Sequence, residues 1–86
     1  MAPFVSVRKR ILDYFRDLNP ALFDGPVPVE QLKLRRALDS LQTLNFIVFL
    51  ETALDVRLDD NEMMSDEVET IGGVIALVER KRTRTP

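Results

Sequence analysis

Apolar side chains recur at helical spacing in three stretches of the chain, with polar and charged residues between them. Val7, Ile11, Tyr14, Phe15 and Leu18 are interleaved with Arg8, Lys9, Arg10, Asp13 and Arg16. That spacing predicts an amphipathic helix over about residues 5–18. Asn19-Pro20 ends it, because the residue before a proline is driven out of the helical region. The second stretch opens on Asp39, a good N-cap, with Gln42 placed to complete a capping box. Successive residues about 100° apart then sort a helix over 40–54 into faces. Thr43, Phe46, Ile47, Leu50 and Leu54 share the core stripe. Ser40, Leu41, Leu44, Val48 and Glu51 fall on a neighbouring arc, and Phe49 lies away from the core.

The third stretch predicts a helix over 69–81, with Ile71, Val74, Ile75 and Val78 inward and acids at its start facing the positive end of its dipole. Gly72-Gly73 weakens that helix by roughly 1 kcal/mol per glycine relative to alanine, a cost accepted where another backbone must come close. A short helix over 62–67, with Met63, Met64 and Val68 as its apolar contacts, precedes it. Asp55 to Asp60 reads as a polar connection. The long loop from Asn19 to Asp39 carries Asp24-Gly25-Pro26 and Pro28 as turn signals. Leu22, Phe23, Val27, Leu32 and Leu34 can pack it, and Glu30 to Arg36 can form a helical turn or two. No strand pattern competes. The expected fold is all-α: a small four-helix bundle of three main helices plus one short helix, in a single domain over 1–86 with a basic tail at 82–86.

Composition narrows the chemistry. With 86 residues the chain has room for one core, and 45 % hydrophobic against 30 % charged residues is an ordinary globular balance. There is no cysteine and no histidine, which excludes disulfides, thiolate metal sites, cysteine nucleophiles and histidine bases. The net charge of -2 conceals a segregation: Asp55, Asp59, Asp60, Glu62, Asp66, Glu67 and Glu69 face Arg57 alone, while basic residues collect at the two ends. A nucleic-acid partner is not expected from that pattern. Nor does any apolar run approach a membrane span, and the first residues lack the pattern of a signal peptide. The expectation is a cytoplasmic monomer without membrane insertion.

One residue stands out by position. Ser40 begins the second helix after the long loop, and the chain offers it no catalytic partner. A serine in the first turn of a helix ordinarily serves local hydrogen bonding, and Asp39-Ser40-Leu41 is by itself a common tripeptide. The surroundings add weight. The run "ALDSLQTLNFIVFLETAL", an acidic connection and then "ETIGGVIALVERK" resembles the acyl carrier and peptidyl carrier protein family in helix order and length over nearly the whole chain.

The resemblance implies that Ser40 is the attachment site of a covalent 4′-phosphopantetheine, whose thiol holds acyl or aminoacyl groups as thioesters. It implies that Asp39 helps a phosphopantetheinyl transferase to recognise the site. It turns Leu41, Leu44, Val48 and Glu51 toward partner enzymes, and sets Ile71 beside the pantetheine arm. Those partners are a loading ligase and a ketosynthase, reductase or acyltransferase. The chain itself is then not an enzyme.

Two departures stand against that family. Ala37 occupies a position where many relatives carry glycine, and Gln42, Asn45 and Thr52 stand where acids are usual. The leading expectation is therefore a freestanding acyl carrier of a specialised lipid or polyketide-like pathway. An aminoacyl or peptidyl carrier uses the same serine, and its less acidic second helix suits that reading. An unmodified helical adaptor, binding a partner helix through the Leu41-Leu44-Val48 strip, is the third.

Overall fold

The computed structural model describes residues 6–83, which form five α-helices joined by short 3-10 turns. Three are long: α1 (Val7–Leu18), α3 (Ser40–Ala53) and α5 (Ile71–Thr83). Two are single turns, α2 (Leu34–Ala37) and α4 (Asp60–Met63). Among the described residues there is no strand, and the all-α bundle expected from the hydrophobic pattern is what forms. Residue 5 and residues 84–86, parts of the expected first helix and basic tail, lie outside the described residues.

The core follows the three apolar stripes. Ile11 and Phe15 of α1, Phe46 and Leu50 of α3, Leu54 at its C-cap, and Ile71, Val74 and Val78 of α5 are fully buried. Phe15 and Phe46 pack with ring centroids 5.1 Å apart. Tyr14 stacks on Phe49 at 4.5 Å. Phe49 is thus half-buried against the core, not turned away from it as its angular position suggested, because the aromatic ring of α1 reaches across to cover it.

Local capping sets the ends of the helices. Ser6 caps α1 by accepting from the Lys9 N–H at 3.2 Å. The expected helix over 62–67 divides. Asp59 and Glu62 form a reciprocal capping box at 2.8 and 2.9 Å, which starts α4 earlier. The Ser65 hydroxyl donates to the Glu62 carbonyl at 2.8 Å, and Asp66–Val68 continues only as a 3-10 turn. The last helix starts at Ile71 in place of residue 69, with the Thr70 hydroxyl oxygen accepting from Gly73 N–H at 3.1 Å. No acid therefore occupies its first turn. The preceding acids are drawn into ion pairs instead, Glu62 with Lys81 at 2.6 Å, Glu67 with Arg80, and Glu69 with Lys33 at 3.4 Å.

The connection after α3 is less polar than its composition suggests. Val56 and Leu58 are buried while Asp55, Arg57 and Asp59 point outward, the period-two alternation of extended chain. Asp55 takes a left-handed conformation, φ 56°, which lets the Val56 N–H return to the Leu50 carbonyl at 3.0 Å. The Arg82 guanidinium donates to the Leu54 carbonyl and closes the same helix end.

The long loop is tied down at several points. A 3-10 turn at Pro20–Phe23 is capped by the Asn19 side chain, and the Arg16 guanidinium lies 4.7 Å over the Phe23 ring. A second turn at Val29–Gln31 leads to α2, whose Leu34 and Ala37 are buried. Leu22, Phe23 and Leu32 pack against the core, whereas Val27 stays exposed. Leu34 N–H donates to the Glu69 carbonyl at 2.8 Å and Ile71 N–H donates to the Leu32 carbonyl at 3.0 Å. These bonds flank an antiparallel bridge between Lys33 and Thr70.

Gly72 faces the loop side of this pairing, and Gly73 faces the turn that leads into α5. A Cβ at Gly73 would sit 1.7 Å from the Glu67 carbonyl oxygen, and one at Gly72 would sit 3.0 Å from that of Glu30. Gly73→Ala should destabilise the fold by about 1–3 kcal/mol in urea denaturation, although helix propensity alone favours alanine. Gly25→Ala, with nothing near its added methyl, should leave the midpoint nearly unchanged.

The Lys81 ammonium, and after it the capping bond to the Asp59 backbone, hold the Glu62 carboxyl below its ordinary value. Its contribution to stability is then complete above the ordinary glutamate pKa of about 4.3 and lost as pH falls through the lower folded value. Glu62→Gln should lower stability at neutral pH and flatten the acid limb of the stability–pH profile below about pH 4.3.

Candidate functional site

The head of α3 is fixed from both sides. Leu38, almost fully buried, anchors the chain just before it, and the Leu38 N–H still donates to Leu34 of α2 at 2.9 Å. Asp39 is extended, φ -82° and ψ -175°, and the helix begins at Ser40. Asp39 Oδ1 accepts from Gln42 N–H at 2.8 Å while Gln42 Oε1 accepts from Asp39 N–H at 3.0 Å, the capping box read from the sequence. The Thr43 hydroxyl donates to the Asp39 carbonyl at 2.8 Å and adds a third tie. The carboxylate of Asp39 is thus committed to the helix end.

Ser40 occupies the first helical position with its side chain exposed. Among the described residues its hydroxyl makes no hydrogen bond, so local bonding does not account for it. It stands at the edge of an open groove of about 780 Å³ between α2, the head of α3 and the segment 63–69. Leu34, Leu38, Met63 and Val68 give the groove apolar walls, while Lys33 and Arg35 bring positive charge to it and Asp66 and Glu69 negative charge.

The groove and the first-turn N–H groups make the surroundings of Ser40 suited to an anionic group joined to its oxygen. The volume lies within the range, about 300–1,000 Å³, of sites that hold drug-sized ligands. Among the described residues no group of three histidine, cysteine, aspartate or glutamate side chains is placed to hold a metal ion.

The remaining sequence-predicted residues divide. Leu41, Leu44 and Val48 are 68, 61 and 53 % exposed, an uncovered apolar strip running down α3 from Ser40. Glu51 is exposed beyond it and pairs loosely with Arg57 at 3.6 Å. Ile71 is completely buried in the core, so it is not offered to a partner in this conformation; its amide is held by the Leu32 carbonyl and its side chain faces the bundle. Val68 and Met63 take the place near Ser40 that the resemblance assigns to Ile71. Met64, expected from the sequence as an apolar contact of the short helix, is instead 85 % exposed beside the groove, whereas Met63 packs on the core. The signal for both methionines was two apolar residues within an otherwise acidic run.

Asp39→Ala removes the acceptor for Gln42 N–H and should cost about 1 kcal/mol. Amide hydrogen exchange of residues 41–43 should quicken in that variant before the rest of α3 does. Among the described residues no helix is long and apolar enough to cross a membrane. Comparisons of the chain with protein-family models, with curated proteins and with solved structures return no match.

Proposed function

We propose that the chain is a freestanding carrier protein, modified on Ser40 by 4′-phosphopantetheine and acting in the cytoplasm in a specialised lipid or polyketide-like pathway. One observation carries the reading: the Ser40 hydroxyl is exposed, without an internal partner, at the capped head of a helix and at the mouth of a groove. When bound, the group supplies a terminal thiol that holds acyl cargo as a thioester.

The chain's own residues supply the rest. Ser40 Oγ provides the point of attachment. The free N–H groups of the first turn favour a phosphodiester there, and Arg35 and Lys33 add positive charge on the groove. The Asp39–Gln42 capping box keeps the serine at the first helical position. Leu41, Leu44 and Val48 form the surface that partner enzymes bury, and the absence of cysteine leaves no protein thiol to compete for cargo. The partners are a phosphopantetheinyl transferase, a loading ligase, and the ketosynthase, reductase or acyltransferase of the pathway. Neutral Gln42 and Asn45 on α3 equally suit a carrier of aminoacyl or peptidyl cargo, which uses the same chemistry at Ser40.

Intact mass after co-expression with a broad-specificity phosphopantetheinyl transferase tests the reading. The chain should gain one phosphopantetheinyl group, and Ser40→Ala should abolish the gain while leaving stability within about 0.5 kcal/mol. No gain with several such transferases would replace the carrier with the unmodified adaptor. Loading of the holo protein by amino-acid ligases, and not by fatty-acyl ligases, would select the aminoacyl carrier.

A further inference from the structure

We infer that the groove beside Ser40 is a cargo site for short aminoacyl groups, with Asp66 as the carboxylate that receives the cargo's α-ammonium. The inference rests on the carrier reading and chooses among the cargoes it allows.

Five of the thirteen residues that line the groove are charged: Lys33, Arg35, Asp39, Asp66 and Glu69. Three of them are already answered. The Asp39 carboxylate accepts from Gln42 N–H in the helix cap, and Lys33 pairs with Glu69 at 3.4 Å. Asp66 and Arg35 are exposed, and among the described residues neither side chain has a hydrogen-bond or ion-pair partner. The groove therefore holds one unanswered anion, on the 3-10 turn Asp66–Val68, and one unanswered cation, on α2. Leu34, Leu38, Met63 and Val68 supply its apolar surface.

A group tethered at Ser40 satisfies this lining best when it combines an anion, a small apolar part and a cation. A phosphodiester on Ser40 Oγ is the anion, at the groove to which Arg35 brings its charge. An α-ammonium on the cargo is the cation that Asp66 lacks. A plain short acyl group leaves Asp66 unanswered. A long aliphatic chain fares worse, since laying methylenes over charged side chains removes their water and replaces it with nothing polar. Nor is the centre of the bundle open to such a chain. Phe15 and Phe46 fill it with ring centroids 5.1 Å apart, and Tyr14 stacks on Phe49 at 4.5 Å beside them.

Two matched cargoes on the ¹⁵N-labelled full chain test this. Alanyl and propionyl groups, each joined to pantetheine by an amide in place of the thioester, are transferred from the coenzyme A analogue onto Ser40. The two products differ by one ammonium group. Because Asp66 faces water, the preference is that of an exposed ion pair. The alanyl cargo should shift the amides of Met64, Ser65 and Asp66 about two- to fivefold more than the propionyl cargo, and high salt should shrink the difference. Asp66→Asn should erase it, whereas Asp60→Asn, outside the groove, should preserve it; thermal melts confirm that both variants fold.

Equal shifts from the two cargoes, or a difference that survives Asp66→Asn, would overturn the inference. So would an octanoyl cargo that shifts these amides more than the alanyl one. Any of those results on a chain loaded at Ser40 leaves the carrier reading intact; failure of Ser40 to load strikes the carrier reading itself, and this inference with it.

Discussion

Two amide-to-carbonyl hydrogen bonds, Leu34 to Glu69 and Ile71 to Leu32, hold the long loop against the head of the last helix. The position of Ser40 depends on that seam. A loop of this length would otherwise be free to wander, and the turn of α2 would have nothing to lean on. Because the seam is made by backbone atoms, it requires close approach; Gly72 leaves room for the Glu30 backbone of the loop, while Gly73 leaves room for the Glu67 carbonyl before α5. The glycines cost helix propensity in α5, and the seam that Gly72 admits sets α2, Leu38 and Asp39 in place.

A second constraint acts from below. Phe15 and Phe46 fill the centre of the bundle, with Tyr14 and Phe49 closing its side. Burying Phe46, Leu50 and Leu54 fixes the rotation of α3, because a helix has one angular setting that hides all three. The same setting turns Leu41, Leu44 and Val48 outward. The exposed strip is thus the geometric complement of the buried stripe. It has no cover among the described residues.

Polarity is distributed to match. The acidic segment after α3 is bound back by Lys33, Arg80 and Lys81, which knits α4 and the 3-10 turn to α5. Exposed ion pairs of this sort add little individually. Glu62 differs in serving two structures at once, since it completes the cap of α4 and receives Lys81 from the last turns of α5. Among the described residues the exposed arginines of α2 make no ion pair, and Arg35 lines the groove at Ser40.

The three long helices, the capping box at Asp39 and the place of Ser40 were legible in the sequence, because amphipathic period and capping are local properties of neighbouring residues. The exposed strip was legible too, since it follows from the period once the core face is known. What the sequence did not determine arose from contacts between distant segments. The start of α5 moved to Ile71 because Glu69 gives its carbonyl to Leu34, and Phe49 was covered because Tyr14 comes from another helix. Val56 and Leu58 were drawn into the core across a connection whose charges masked them. Ile71 went inward, as the apolar stripe of the last helix predicted, and it is Met63 and Val68, brought there by the fold, that line the groove beside Ser40. Local propensity thus decided which segments are helices and where the serine lies along the chain; only tertiary packing decided what faces it, since a groove is made by residues that are neighbours in space and not in sequence.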